Sequence, residues 1–193
     1  MLMCAGITVY SPLRSYAAQP SQKIGIIGVG GLGHLAIQFA RALGYEVTAI
    51  SSSPEKKGQA LAFGADHFIV SDETSLRQVV FGFDLLLCTA NGKINWELLL
   101  NTLKKNGRLI LLGFPDVVLN ATDLVVHQLS ITGSFIGNRA TMREMLSFAQ
   151  VHGITPVVEL MPMSQVNEAI QRVKENKARY RIVLVNDTVG VGI

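Results

Sequence analysis

Residues 23–33 read K-I-G-I-I-G-V-G-G-L-G, a short apolar run that passes directly into a cluster of glycines. The run predicts a strand. Gly28, Gly30 and Gly33 fall at G-x-G-x-x-G spacing, with Val29, Gly31 and Leu32 between them. From residue 32 to 43 the apolar positions recur at helical spacing, so a helix follows the turn. Strand, tight turn and helix in this order form a seat for the pyrophosphate of a dinucleotide. The first glycine permits the turn, the second lets backbone approach the phosphates, and the third lets helix and strand pack closely. Unpaired N–H groups at the helix start then face the anion.

Length and composition bound the rest. The chain has 193 residues, 49% of them hydrophobic, which suits one compact domain with little room for a second. Eighteen glycines and 7% aromatics fit many tight strand–helix connections better than a β-sandwich. The net charge is +3, with a basic cluster at Arg172, Lys174, Lys177, Arg179 and Arg181. A solvated helix face and strand start accounts for that cluster better than a nucleic-acid patch, because no zinc finger, RNA-binding motif or long basic arm accompanies it. The two cysteines, Cys4 and Cys88, are far apart and form no disulfide framework, so a reducing compartment is expected. The apolar start, residues 1–10, lacks the basic flank and length of a signal peptide. No run reaches the roughly 20 apolar residues of a membrane span. A soluble cytoplasmic protein is expected, with no membrane and no nucleic-acid partner.

Strands and helices alternate beyond the glycine turn. Strands are predicted at 46–50, 67–70, 83–88, 108–112, 129–134 and 180–185, with a short extended piece at 156–160. Helices are predicted at 54–63, 96–103, 140–151 and 165–175. Pro54 stands at a first helical position with a serine before it able to cap, and Lys105-Asn106-Gly107 reads as a turn. The continuous apolar run at 85–88 suits burial on both faces. The pattern predicts an α/β Rossmann fold, a doubly wound, mostly parallel six-stranded sheet with helices on both faces. The tail, residues 186–193, carries no readable signal.

The end of the second strand bears on the choice of dinucleotide. A carboxylate about 20 residues beyond the glycines ordinarily binds the ribose hydroxyls of NAD. Here the segment reads Ala49-Ile50-Ser51-Ser52-Ser53, with Glu55 as the nearest acid, in a first helical turn. Ser51, Ser52 and Ser53 with Lys56 and Lys57 would accept a 2′-phosphate, which a carboxylate would repel. NADP is therefore expected over NAD, and flavin is disfavoured because no flavin-specific feature appears. An ordinary capping turn with solvated lysines accounts for the same residues.

Several segments together resemble a known family. They are Cys4-Ala5-Gly6-Ile7-Thr8-Val9-Tyr10, residues 28–34, Ser51-Ser52-Ser53-Pro54 with Lys57, Gly133-Ser134-Phe135-Ile136-Gly137, and Arg179-Tyr180-Arg181-Ile182-Val183. In this order they resemble the cinnamyl-alcohol-dehydrogenase-like branch of the zinc-dependent medium-chain alcohol dehydrogenases. The resemblance implies NADP-linked interconversion of primary alcohols and aldehydes by hydride transfer. It also implies three parts: a linking helix at 1–20 from a catalytic domain, a dinucleotide-binding domain at 21–155, and a return segment at 156–193. Relatives of this kind often dimerise by joining sheet edges, here around residues 129–134, so a homodimer is expected.

Cys4 aligns with the last protein ligand of the family's catalytic zinc, while the earlier cysteine and histidine–glutamate ligands have no counterpart and would lie upstream of Met1. Cys4 is thus both the catalytic and the metal candidate, but alone it cannot hold zinc tightly, since a catalytic site needs about three protein ligands. The isolated chain is expected to have little or no dehydrogenase activity. Thr8, one turn beyond Cys4, resembles a residue beside the nicotinamide. The resemblance adds Thr89, Ala90, Leu112, Gly113, Ser134, Phe135 and Ile136 as cofactor contacts, each of which could equally be a packed or turn residue. Arg179 could make cofactor or domain contacts or be a plain surface arginine. His34 is expected in a helix near the cofactor, His67 in a structural hydrogen bond, and Cys88 as a buried apolar residue. Neither His127 nor His152 stands in a ligand pattern. A non-enzymatic NADPH-binding or interaction module and a zinc-independent quinone-reductase-like oxidoreductase remain the alternatives.

Overall fold

The apolar runs build a sheet whose centre is the strand before the glycine turn. The structure is a computed structural model that describes residues 1–16, 19 and 21–186, so the last residues of the expected linking helix (17, 18 and 20) and the tail 187–193 lie outside the described residues. The chain forms two compact units, Met1–Ile154 and Thr155–Ile193.

In the first unit the strands are β1 (Lys23–Ile27), β2 (Glu46–Ser51), β3 (His67–Val70), β4 (Phe83–Cys88), β5 (Leu103–Leu111) and β6 (Ser130–Gly133). They lie in the order β3-β2-β1-β4-β5-β6, every pairing parallel. The order reverses beside β1. Connections from there leave in opposite directions, which opens a crevice at the carboxyl ends of β1 and β4. Burial follows the sequence: Ile24, Ile26, Leu85, Leu86, Leu87 and Cys88 are at most 2% exposed, the pattern of strands covered on both faces.

Seven helices belong to this unit among the described residues. A short π-helical turn, Leu2–Gly6, leads into α1 (Ile7–Tyr16). Then come α2 (Gly33–Ala42), α3 (Lys57–Ala62), α4 (Glu73–Arg77), α5 (Trp96–Asn101), α6 (Ala121–His127) and α7 (Arg139–Val151). Helices α1, α2 and α7 pack together, as do α4, α5 and α6, making two helical groups around the sheet. The first group is fastened by aromatic packing of Tyr10 with Phe39 and Phe148, at ring centroid distances of 5.3 and 5.5 Å. The second encloses Trp96, Leu98, Leu99 and Leu100 against β4 and β5. Each such fully buried side chain contributes roughly 1.5–3 kcal/mol.

Several local expectations are corrected. The helix predicted to reach residue 103 stops at Asn101, and β5 begins at Leu103 rather than 108. The predicted turn at residues 105–107 lies inside that strand. Asn106 adopts φ +64°, and the register steps from Phe83↔Leu103 to Leu85↔Arg108, so the turn chemistry is used in an irregularity of the ladder. Two short helices, α4 and α6, were not predicted; the side chains of Asp72 and Asn120 cap them by accepting the amides of Ser75 and Thr122. At Pro54 the proline does open a helical turn, but Ser53 makes no side-chain cap. Instead Ser51 Oγ accepts the Ser53 amide at 3.2 Å.

The second unit pairs β7 (Val158–Pro162) in parallel with β8 (Arg181–Val185), connected through α8 (Val166–Lys174). Glu159 organises it, accepting from the Arg172 guanidinium and from the Arg179 amide. Two of the five clustered basic residues are thus paired, Arg172 with Glu159 and Lys177 with Glu175, the latter at 2.7 Å.

Candidate functional site

The glycine turn connects β1 to α2 at the crevice. Gly28 has φ +93°, a conformation open to glycine and costly for other residues, and its amide bonds the carbonyl of Ile50 on β2 at 2.8 Å. Gly33 packs so closely that an added Cβ would stand 1.8 Å from the Gly28 carbonyl oxygen. Around Gly30 the position of a Cβ meets nothing within 4 Å. The three glycines therefore do three different jobs: one shapes the turn, one joins helix to strand, and one keeps a space free.

The first helical hydrogen bond runs from the His34 amide to the Gly30 carbonyl at 3.1 Å. The amides of Val29, Gly30, Gly31, Leu32 and Gly33 donate to no partner among the described residues. Five donors at the positive end of a ten-residue helix are what a diphosphate requires. A dinucleotide fits this cradle: the space at Gly30 is free, and the donors are unpaired.

Residues at the carboxyl ends of four strands meet along the same edge. Each continues the ladder by one bond: Thr89 N–H to Ile27 at 2.9 Å, Leu112 N–H to Cys88 at 2.9 Å, and Ser134 N–H to Leu111 at 3.0 Å. Thr89, Ala90, Leu112, Gly113 and Ser134 thus line up beside Gly28. Gly113 abuts the Asn91 side chain, whose oxygen also accepts the Phe114 amide at 2.9 Å. Leu112 is buried, Phe135 is 76% exposed, and Ile136 adopts φ +53°.

Beyond the glycine turn stands the serine turn at the end of β2. Ser51 is buried and bonds the Ser53 amide; Ser52 is exposed and Ser53 half-buried. Lys57 is exposed on the first turn of α3. Lys56 reaches the glycine turn instead, its Nζ donating to the Val29 carbonyl at 3.0 Å. Glu55 is exposed in the helical turn that Pro54 opens, and no carboxylate stands at the β2 end.

The opening turn lies beside the loop that follows β6. A Cβ on Gly137 would come 2.9 Å from Ile7 Cδ1. Cys4 is exposed in the π-helical turn, and Thr8, largely buried, donates its hydroxyl to the Cys4 carbonyl at 2.7 Å. Deeper along α1, Glu144 Oε1 accepts from both the Tyr10 hydroxyl and Arg14 Nε at 2.9 Å. Burial, followed by this hydrogen bond, raises the Tyr10 phenol to about 12, and the same bond lowers the Glu144 carboxyl.

Cys88 is fully buried and desolvation raises its thiol, so it behaves as an apolar core residue. His34 is fully buried at the start of α2, its Nδ1 2.9 Å from the Gly30 carbonyl. His67 pairs with Glu46 at 3.3 Å, and His127 and His152 lie against Phe81 and Phe148. Among the described residues no three His, Cys, Asp or Glu side chains are grouped to hold a metal ion, so these residues alone do not make a zinc site. Two contributions to the site do not show in residue order. Lys56 was indistinguishable from Lys57 until the helical turn fixed its direction. The use of the His34 ring on a turn carbonyl is invisible in a residue pattern.

A wholly parallel six-stranded sheet with a glycine-rich phosphate turn at its crossover defines a dinucleotide-binding protein. The chain belongs to the zinc-binding dehydrogenase family, whose model matches residues 31–151. Aldehyde reductase AdhA of Synechocystis sp. is 42% identical over 186 residues, covering 95% of this chain and 55% of that protein. A cinnamyl alcohol dehydrogenase structure from Sorghum bicolor superposes with a TM-score of 0.91 at 39% identity, covering 95% of this chain and 53% of the other. The crystal structure of CAD from Helicobacter pylori complexed with NADP(H) gives 0.84 at 33% identity, with 95% and 53% covered. The chain spans about half the length of the relatives it matches. No helix among the described residues is long and apolar enough to cross a membrane.

Proposed function

We propose that this chain is the NADP(H)-binding part of a dehydrogenase that interconverts primary alcohols and aldehydes. The observation that carries the reading is the pairing of two neighbouring turns: a glycine turn with unpaired amides and a serine turn without a carboxylate. The amides of residues 29–33 bind the pyrophosphate. Ser52, Ser53 and Lys57 receive the 2′-phosphate. Thr89, Ala90, Leu112, Gly113 and the loop Ser134, Phe135, Ile136 form the wall that orients the nicotinamide end. The complex of the Helicobacter pylori relative with NADP(H) supports this choice. When bound, the nicotinamide supplies or accepts the hydride.

Cys4 contributes one thiolate donor toward the family's zinc, and Thr8 stands one turn beyond it. A catalytic zinc site takes about three protein ligands. The other donors therefore come from a portion like that in the relatives which this chain does not span, and the chain alone has little or no dehydrogenase activity. The parts of the chain are a linking helix at 1–20, a cofactor domain at 21–155 and a return segment at 156–193. A homodimer formed along β6, one of the two edge strands of the sheet, is part of the same reading, as is a cytoplasmic location.

Titration of the chain with NADPH and NADH, followed by nucleotide fluorescence and calorimetry, tests the assignment. Saturable binding of NADPH, tighter than NADH, is expected. Absence of saturable binding overturns the cofactor reading, and tighter NADH binding overturns the role given to the serine turn.

A further inference from the structure

We infer that Thr89, Lys56 and His34 form a brace that holds the glycine turn by its carbonyl oxygens and thereby aims its amides at the pyrophosphate. The inference rests on the dinucleotide reading above. Thr89 Oγ1 donates to the carbonyls of Ile27 and Gly28, both at 3.0 Å. Lys56 Nζ donates to Val29 at 3.0 Å. The His34 ring meets Gly30 through Nδ1 at 2.9 Å. A carbonyl only accepts, so Nδ1 carries the proton of this bond. Three successive carbonyls of the turn are thus held by side chains from three elements, β4's end, the α3 start and α2.

The effect follows from peptide geometry. Across a planar trans peptide, the C=O of one residue and the N–H of the next point in opposite directions. Holding the Gly28 carbonyl aims the Val29 amide, holding Val29 aims Gly30, and at Gly30 the ring reinforces the His34 amide on the same carbonyl, which aims Gly31. These three amides have no partner among the described residues. Glycines make the turn soft in the absence of such contacts, and preorganised donors bind an anion without the cost of ordering them first. Thr89 is accordingly a positioning residue, since its single hydroxyl proton already faces two main-chain oxygens.

The test compares Thr89→Val with Thr89→Ser, and His34→Leu with His34→Asn, which can still donate near the Nδ1 position. NADPH affinity and the affinity for adenosine 2′-monophosphate, which carries no pyrophosphate, are measured for each chain that keeps a cooperative melt. Thr89→Val and His34→Leu are expected to weaken NADPH about tenfold, as one lost hydrogen bond would. The serine and asparagine variants recover most of that loss, and affinity for adenosine 2′-monophosphate stays within twofold for all four. A folded valine or leucine variant that binds NADPH like the parent overturns the brace, as does parallel loss of both ligands. Nitrogen-15 NMR of the imidazole in the unaltered chain decides the matter independently of any variant's folding. The Nδ1–H tautomer of His34 is expected at neutral pH, and the Nε2–H tautomer overturns the proposal. If the unaltered chain binds no NADPH while the tautomer is Nδ1–H, the cofactor reading fails and the side-chain support of the turn stands.

Discussion

Gly33 meets Gly28 main chain to main chain, so closely that a methyl group on Gly33 would stand 1.8 Å from the Gly28 oxygen. Gly30, three residues earlier, borders open space. The contrast separates a packing role from a ligand role within one motif. Gly33→Ala is expected to lower stability by about 1–3 kcal/mol, through overpacking against backbone that cannot yield. Gly30→Ala is expected to melt within a degree or two of the parent and to weaken NADPH at least about tenfold, because its methyl would enter the open space proposed for the phosphates. Thermal melts with parallel NADPH titrations check both. A Gly30→Ala chain that binds NADPH normally would remove the phosphate from this turn.

On the function proposed above, the serine turn sets the choice between the two nicotinamide cofactors. Ser52 is exposed at the end of β2, where no acid stands. Ser52→Asp places a charge against the 2′-phosphate and offers an acceptor to a ribose hydroxyl. NADPH affinity should fall by about tenfold or more while NADH affinity holds or improves. Paired titrations at fixed ionic strength read this out, and an equal loss for both cofactors would count against the assignment.

The two thiols differ in access. Cys4 is exposed and Cys88 is buried with a raised thiol. Brief treatment of the native chain with iodoacetamide near pH 8 should alkylate Cys4 and leave Cys88, and both should react after denaturation. Mass spectrometry of the digested chain locates the label. Rapid native labelling of Cys88 would mean that β4 is not packed as described.

Burial of Tyr10, together with its bond to Glu144, gives alkaline stability a particular slope. The folded phenol titrates at about 12, above the ordinary value near 10. The unfolded chain therefore loses this proton first, so the contribution is intact below about pH 10 and disappears as pH rises toward 12. Glu144 acts in the opposite sense, since its carboxyl is lowered and its contribution is lost as pH falls through the carboxylate range. Tyr10→Phe should be less stable than the parent at neutral pH and should lose less stability from pH 10 upward. Burial also raises Tyr45 and Tyr180, so the difference between the two melting curves, rather than the total slope, is the quantity to compare.

Much of this architecture can be read from residue order. The bounds of β4 follow from its apolar run, because a strand covered on both faces leaves a continuous signature, and those of half-exposed β3 from the short apolar run after His67. The glycine spacing placed the turn because Gly28 and Gly33 have roles no other residue fills. Helices α4 and α6 stayed hidden because five and seven residues are too few to display a helical period, and only their caps announce them. Residues 105–107 misled because a positive φ at Asn106 serves a ladder irregularity as well as a turn. Direction was the other silent quantity. Lys56 and Lys57 are neighbours of identical type, and only the helical turn at Pro54 decides which one reaches Val29.

The strand order has a mechanical consequence. The halves β3-β2-β1 and β4-β5-β6 share one ladder, that between β1 and β4, and the glycine turn leaves the sheet at this seam. A long ligand lying across the seam acts as a clasp, so its binding free energy opposes parting of the two halves. At a hundredfold excess over Kd, that clasp adds about 2.7 kcal/mol to the folded state. The same crossover that opens a crevice for the ligand thus lets the ligand tie together the two halves that meet there.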